Sequence, residues 1–202
     1  MKIFAHRGAS KEAQDNSPEA VRKAIEIGVD AIEIDCMMRS DGTPVVAHDT
    51  LLPESPTLKE ILEIIKPSTV NVVLDFKTQP QIIVELALAI FPPEKILASS
   101  FSFRHLFTLK KNFPELKRGL ILAPNAFRLV PPVIFDKLFG LVSVHPCLKD
   151  LKKGWVEKWQ ARGLKVYTWT VNSEADFEHC QELGVDGIFT DDPRMMMSLR
   201  GA

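Results

Sequence analysis

Val70-Asn71-Val72-Val73-Leu74-Asp75-Phe76 is a run in which apolar residues occupy successive positions instead of alternating with polar ones. A strand with one solvated face alternates. A run that is apolar on consecutive positions marks a strand covered on both faces, as in a parallel sheet. Outward from it, seven more runs share this character: Ile3–His6, Ala31–Cys36, Ile96–Phe101, Gly119–Leu122, Leu141–His145, Val166–Val171 and Gly187–Thr190. Successive runs start roughly 20 to 30 residues apart, with one longer gap after the second, and that spacing is the length of a βα unit. Eight such units in 202 residues predict a (β/α)8 barrel of the TIM type, a single domain over residues 1–202 near the lower size limit for that fold.

The segments between the runs carry helix signals. Ser17-Pro18 supplies an N-cap and a first-turn proline for a helix to Ile27, stopped by Gly28. Ser55-Pro56 repeats that start for a helix to Ile65, and Ser173 caps another that ends at Gly184. Trp155 and Trp159, four apart, share a helix face and are expected to pack into the core, as is the Met195-Met196-Met197 run. Pro44–His48 exceeds the eightfold count. It follows Asp41-Gly42, a hairpin signal, so it is expected to fold back beside strand two.

Composition narrows the function classes. Hydrophobic residues make up 46% and charged residues 25%, which is globular composition. A net charge of −1, from 25 basic and 26 acidic residues, lacks the basic excess that nucleic-acid binding requires. Cys36, Cys147 and Cys180 are odd in number and widely spaced, so they read as reduced, buried thiols of a cytoplasmic protein. No apolar run approaches the roughly 20 residues of a membrane span, and Lys2-Ile3-Phe4-Ala5 leads into a core strand rather than a signal peptide. Nothing in the sequence specifies an oligomeric state.

Polar exceptions gather at the C-terminal ends of the runs, where barrels of this type build active sites. His6 and Arg7 end the first run, offering a proton carrier and a planar cation matched to two phosphate oxygens. Glu33 and Asp35 share one face of the second run. Two carboxylates there are desolvated and mutually repulsive unless a cation joins them, and Mg²⁺ or Ca²⁺ is the natural partner. Asp75 and Lys77 share a face of the third run, as a further metal carboxylate and a further phosphate cation. His48 ends the returning strand as a counterpart to His6. Trp169 is either a pocket wall or barrel core, and His145 either faces the site or does not. His105 and His179 fall in helices and are expected at the surface.

Together these residues resemble the glycerophosphodiester phosphodiesterase family from His6 to Pro193. The opening His-Arg-Gly stands as His6-Arg7-Gly8, Glu-x-Asp as Glu33-Ile34-Asp35, and Asp-Gly-x-Pro-Val-Val-x-His-Asp as residues 41–49. Ser100-Phe101, Trp169 to Asn172 and Gly184 to Pro193 match later elements. Three departures stand out. Gln14-Asp15-Asn16-Ser17 replaces Pro-Glu-Asn-Thr, and Asp75-Phe76-Lys77 replaces Glu-x-Lys. Only Thr50 to Glu54 stand where the family inserts a cap that helps enclose the substrate's alcohol.

The resemblance implies metal-dependent hydrolysis of a glycerophosphodiester, a small-molecule substrate, to glycerol 3-phosphate and an alcohol. Glu33, Asp35 and Asp75 would hold one divalent ion, Arg7 and Lys77 the phosphate, with His6 as base and His48 as acid. The residues themselves leave open which histidine is the base, and whether water or a neighbouring substrate hydroxyl attacks. Paired histidines predict a bell-shaped pH–rate profile. Two other readings use the same residues: a phospholipase-D-like lysophospholipid hydrolase, and a phosphodiester-binding protein without turnover, motivated by Asp15, Asp75 and the missing cap.

Overall fold

In the computed structural model, which describes residues 1–125 and 132–201, the eight runs form a closed barrel. The strands are β1 (Lys2–His6), β2 (Ala31–Met38), β3 (Pro44–Val46), β4 (Asn71–Phe76), β5 (Ile96–Ser100), β6 (Lys117–Leu122), β7 (Ser143–Pro146), β8 (Lys165–Thr168) and β9 (Gly187–Thr190). Their order is β1-β9-β8-β7-β6-β5-β4-β2-β3, and a further β1–β2 pairing closes the ring. Every ring pairing is parallel. Only β3 is antiparallel, laid against the far end of β2 with Cys36 opposite Val46. The hairpin expectation therefore holds, and β3 is no ninth stave.

The helices α1 (Pro18–Ile27), α2 (Leu58–Ile65), α3 (Gln81–Leu88), α4 (Phe103–Asn112), α5 (Pro132–Phe139), α6 (Lys153–Gln160), α7 (Glu174–Leu183) and α8 (Pro193–Gly201) alternate with the staves. Local chemistry sets their ends. Ser17 accepts from the Ala20 N–H, Ser173 from the Asp176 N–H, and Gly28 and Gly184 close α1 and α7 with left-handed φ. α2 differs from expectation: its N-cap is Thr57, not Ser55. Thr57 and Glu60 form a reciprocal capping box, which satisfies two helix donors where a serine followed by proline satisfies fewer. Ser55 Oγ instead accepts from the Leu52 N–H and shapes the preceding loop.

Two apolar layers follow from strands covered on both faces. Between staves and helices lies the main core, which includes Trp159 at 2% exposure and Met196 at 0%, with Trp155, Met195 and Met197 packed at its edge. Inside the barrel, Phe4 packs edge-on against Tyr167 and tilted against Phe189, with centroids at 4.8 and 4.9 Å. That aromatic plug separates a small pocket of about 250 Å³ at the N-terminal end of the staves from the space at their C-terminal end, where the polar residues gather. β8 stops at Thr168, short of the Val171 expected, because Trp169 turns inward to the cavity and its indole N–H donates to the His145 carbonyl at 2.8 Å. Among the described residues no helix is long and apolar enough to cross a membrane.

Candidate active site

Parallel register brings the polar side chains together. His6 stands opposite Glu33 across β1–β2, and Asp35 opposite Asp75 across β2–β4. Above the aromatic plug these positions line a cavity of about 410 Å³. All eight residues singled out from the sequence border it: His6, Arg7, Glu33, Asp35, His48, Asp75, Lys77 and Trp169. Trp169 is thus a pocket wall, crossed edge-on by Phe101 at 6.1 Å.

The carboxylates are deeply buried, with Glu33 5%, Asp35 1% and Asp75 5% exposed. One oxygen from each lies within 4.8 Å of the others. Burial and the repulsion of Asp35 push the Glu33 carboxyl well above the ordinary range, and burial raises Asp75 against the pull of Lys77. Two cations reply. Lys77 Nζ bridges Asp35 Oδ1 at 3.0 Å and Asp75 Oδ2 at 2.6 Å, and Arg7 Nε lies 3.0 Å from Asp35 Oδ2. Burial alone would lower the Lys77 ammonium, but Asp75 and Asp35 outweigh it and hold it charged. Arg7 also pairs with Asp15 at 3.0 Å, so the two cations face four carboxylates and the cluster stays short of positive charge. Asp75 Oδ1 is buried with no hydrogen-bond partner among the described residues. Three hard oxygen donors, an orphaned oxygen and a charge deficit fit a divalent cation of the Mg²⁺ or Ca²⁺ kind.

The first loop is shaped to present Arg7. Its φ is +60°, a conformation that costs a non-glycine residue about 1–2 kcal/mol. Its own N–H donates to Glu33 Oε2 at 2.9 Å, and that bond helps hold the turn. Gly8 follows at φ +83°, where a Cβ would lie 2.7 Å from the Ala20 carbonyl carbon, so no other residue fits.

Each histidine is backed by a carboxylate. His6 Nδ1 lies 2.7 Å from Asp191 Oδ1, and Asp191 also accepts from Asn172 Nδ2 at 2.6 Å and Ser10 Oγ at 3.1 Å. Burial opposes ionisation of Asp191, but the bonds to His6 and Asn172 win and hold it down at about 2. Burial would lower His6, yet Asp191 and Glu33 raise it above its ordinary value. His48 Nδ1 lies 2.7 Å from Asp49 Oδ1, a far more exposed carboxylate. The hydrogen bond to Asp191 fixes His6 Nδ1 as N–H and leaves Nε2 free for chemistry, whereas the His48 contact with Asp49 lacks hydrogen-bond geometry.

Several residues that contact or line this site had no assigned role in the sequence reading. Asp191 directly follows the last stave, inside the 184–193 element, but its partner lies 185 residues away. Asn16, in the 14–17 segment, donates to Asp35 Oδ2 at 2.9 Å and accepts from the Asp35 N–H at 3.2 Å. Its left-handed φ of +56° suits asparagine and was not legible beforehand. His145 forms the cavity floor, 1% exposed, with Nε2 2.9 Å from Ser143 Oγ. His179 is exposed as expected, whereas His105 is not a plain surface residue. It is half-buried, with Nδ1 3.0 Å from Ser100 Oγ, because α4 starts directly against the end of β5.

Comparison with known proteins gives a consistent result. The sequence model of the glycerophosphoryl diester phosphodiesterase family matches residues 6–74 and 60–195. A glycerophosphodiester phosphodiesterase of Caldanaerobacter subterraneus is 30% identical, with 98% of this chain and 96% of the relative covered. That alignment runs over 237 residues against a chain of 202, so the relative carries insertions that this chain lacks. A human lysophospholipase D is 22% identical, over 95% of this chain and 83% of that protein. Among solved structures, an Oleispira antarctica phosphodiesterase in complex with the product sn-glycerol-3-phosphate superposes with a TM-score of 0.89 at 24% identity, covering 100% of this chain and 97% of that one.

Proposed function

This chain belongs to the glycerophosphoryl diester phosphodiesterase family, a family of phosphoric diester hydrolases, and on that premise we propose that it hydrolyses glycerophosphodiesters to glycerol 3-phosphate and an alcohol by two-histidine acid–base catalysis. The observation that carries the proposal is the pairing of His6 and His48, each on its own carboxylate, across one cavity that also holds the acidic cluster. Residues 1–202 act as one catalytic domain in this reading.

Glu33, Asp35 and Asp75 would hold the divalent ion. When bound, that ion supplies positive charge against the phosphoryl oxygens. Arg7 and Lys77 face the same cavity and offset the remaining phosphate charge as the displacement proceeds. With its Nδ1–H fixed on Asp191, His6 offers Nε2 as the base that takes the nucleophile's proton as its oxygen bonds to phosphorus. The bond from phosphorus to the alcohol oxygen breaks, and His48 gives that oxygen a proton. An alkoxide is a poor leaving group, so the acid is indispensable for an unactivated diester. Phe101, Trp169 and Phe189 wall the cavity against water and against the substrate's carbon skeleton. The three free cysteines are all buried, which fits the cytoplasmic setting included in this reading.

The test is release of sn-glycerol 3-phosphate from glycerophosphoethanolamine and glycerophosphocholine, with EDTA and then with Mg²⁺ or Ca²⁺ restored. Turnover that disappears with EDTA and returns with metal is expected. Metal-independent turnover, or none from folded protein, refutes the reading, and a lysophospholipid run alongside detects a phospholipase-D-like preference.

A further inference from the structure

Beside the catalytic cavity lies a larger groove of about 1020 Å³, bounded by the 14–17 loop, α1, the 49–57 loop and α2. Arg7 and His48 line both spaces, whereas His6 lines the inner one and not the groove. We propose that this groove is the subsite for the alcohol arm of the diester, and that it selects polyhydroxy alcohols of sugar-ring size or larger over ethanolamine or choline. The proposal rests on the catalytic roles assigned above to His6 and His48.

The two cavities differ in the directions the reaction needs. A phosphate held by Arg7 and Lys77 presents one ester arm to each space. The arm whose oxygen is protonated must lie on the side of His48, and His48 is the histidine that the groove shares. The inner cavity, walled by Phe101, Trp169 and Phe189 over the His145 floor, has less than half the groove's volume and suits a three-carbon arm. The groove is too large for ethanolamine to touch both sides, so a small arm would leave most of it to water.

The groove's lining indicates what fills it. Gln14, Ser17 and Thr50 line it together with Leu52 and Pro56, so polar and apolar residues share its walls. That mixture suits a ring bearing hydroxyls on its edge and C–H groups on its face. Asp15 is paired with Arg7 and Asp49 with His48. Arg39 is spent on the carbonyls of Pro53 and Ser55, which are neutral, so its charge persists beside Glu60. With Arg22 and Glu54, three arginines face four carboxylates spread along the groove, so the selection for a polyhydroxy arm rests on its size and not on charge. The groove exists because the chain from Thr50 to Glu54 is short and is tied down by Arg39 and by Ser55 rather than spread over the mouth.

The experiment compares kcat/KM for glycerophosphoinositol and glycerophosphoethanolamine in the wild type and in Leu52→Trp and Arg22→Trp. Both substitutions fall at exposed groove positions outside the catalytic machinery, one on the loop side and one on α1. The wild type should prefer the inositol arm by about tenfold or more, the scale on which a filled pocket discriminates. Each tryptophan should cut that preference to within about twofold, by lowering kcat/KM for glycerophosphoinositol far more than for glycerophosphoethanolamine. Equal turnover of both diesters by the wild type, or a tryptophan effect that is the same on both, overturns the subsite. Absence of turnover on both diesters overturns the catalytic reading and the subsite with it.

Discussion

His145→Gln should flatten the acid dependence of this protein's stability. The imidazole is 1% exposed, set between the rings of Tyr167 and Phe189 at 5.5 and 5.3 Å, with Ser143 Oγ 2.9 Å from Nε2. Burial holds its pKa down at about 3, against 6.5 for a free side chain. The folded pKa is therefore depressed for a base. Between those two values the unfolded chain binds one more proton than the folded one, so stability is full above 6.5 and falls as the pH drops toward 3. The slope is about 1.4 kcal/mol per pH unit, and the whole interval is worth on the order of 4–5 kcal/mol, a large part of a typical domain's stability. Urea unfolding followed by tryptophan fluorescence at several pH values measures it. Between pH 6 and pH 4 the wild type should lose about 2–3 kcal/mol more than the glutamine variant, whatever their difference at neutral pH. His6 contributes with the opposite sign. Its pKa is raised because Asp191 and Glu33 outweigh burial, so its share is full below 6.5 and lost as the pH rises through the folded value, and it cancels in the comparison. Parallel stability curves for the two proteins would refute a neutral, desolvated His145. The functional corollary is a pocket floor that carries no charge at the working pH.

The remaining predictions concern the catalytic centre. His6→Ala and His48→Ala should each lower kcat on glycerophosphoethanolamine by roughly 10²- to 10⁴-fold, and near-wild-type turnover in both would remove the acid–base assignment. Glu33→Gln and Asp35→Asn should weaken Mg²⁺ or Ca²⁺ binding by at least about tenfold in isothermal titration; unchanged affinity would dispose of the metal site. Asp75→Glu should keep metal affinity within about tenfold of wild type, since its orphaned Oδ1 has no partner to lose, and a collapse of binding would show the shorter side chain to be required. Asp191→Asn leaves the fold intact but frees His6 to adopt the wrong tautomer, so kcat should fall roughly 10²- to 10⁴-fold at unchanged KM. A loss confined to KM would make Asp191 a substrate contact.

The sequence by itself determined the barrel and the chemistry of its mouth. Strands buried on both faces must read as apolar runs, so Val70–Phe76 and its seven counterparts were visible without any pairing information. Period-two alternation placed Glu33 beside Asp35 and Asp75 beside Lys77 on one face, and the closed barrel turned that face inward. The hairpin at β3 followed from Asp41-Gly42 alone. What tertiary structure decided were the relations between residues distant in the chain. No local pattern links His6 to Asp191 or Asn16 to Asp35, because these contacts depend on β1 lying between β9 and β2 in the closed ring. Trp169 and His145 could each face the cavity or the core on sequence grounds, and only the turn after Thr168 and the fill of the lower barrel chose between them. Spacing fixes which residues share a face, because a strand's side chains alternate by geometry. Closure of the sheet fixes which faces meet, because that depends on every stave at once.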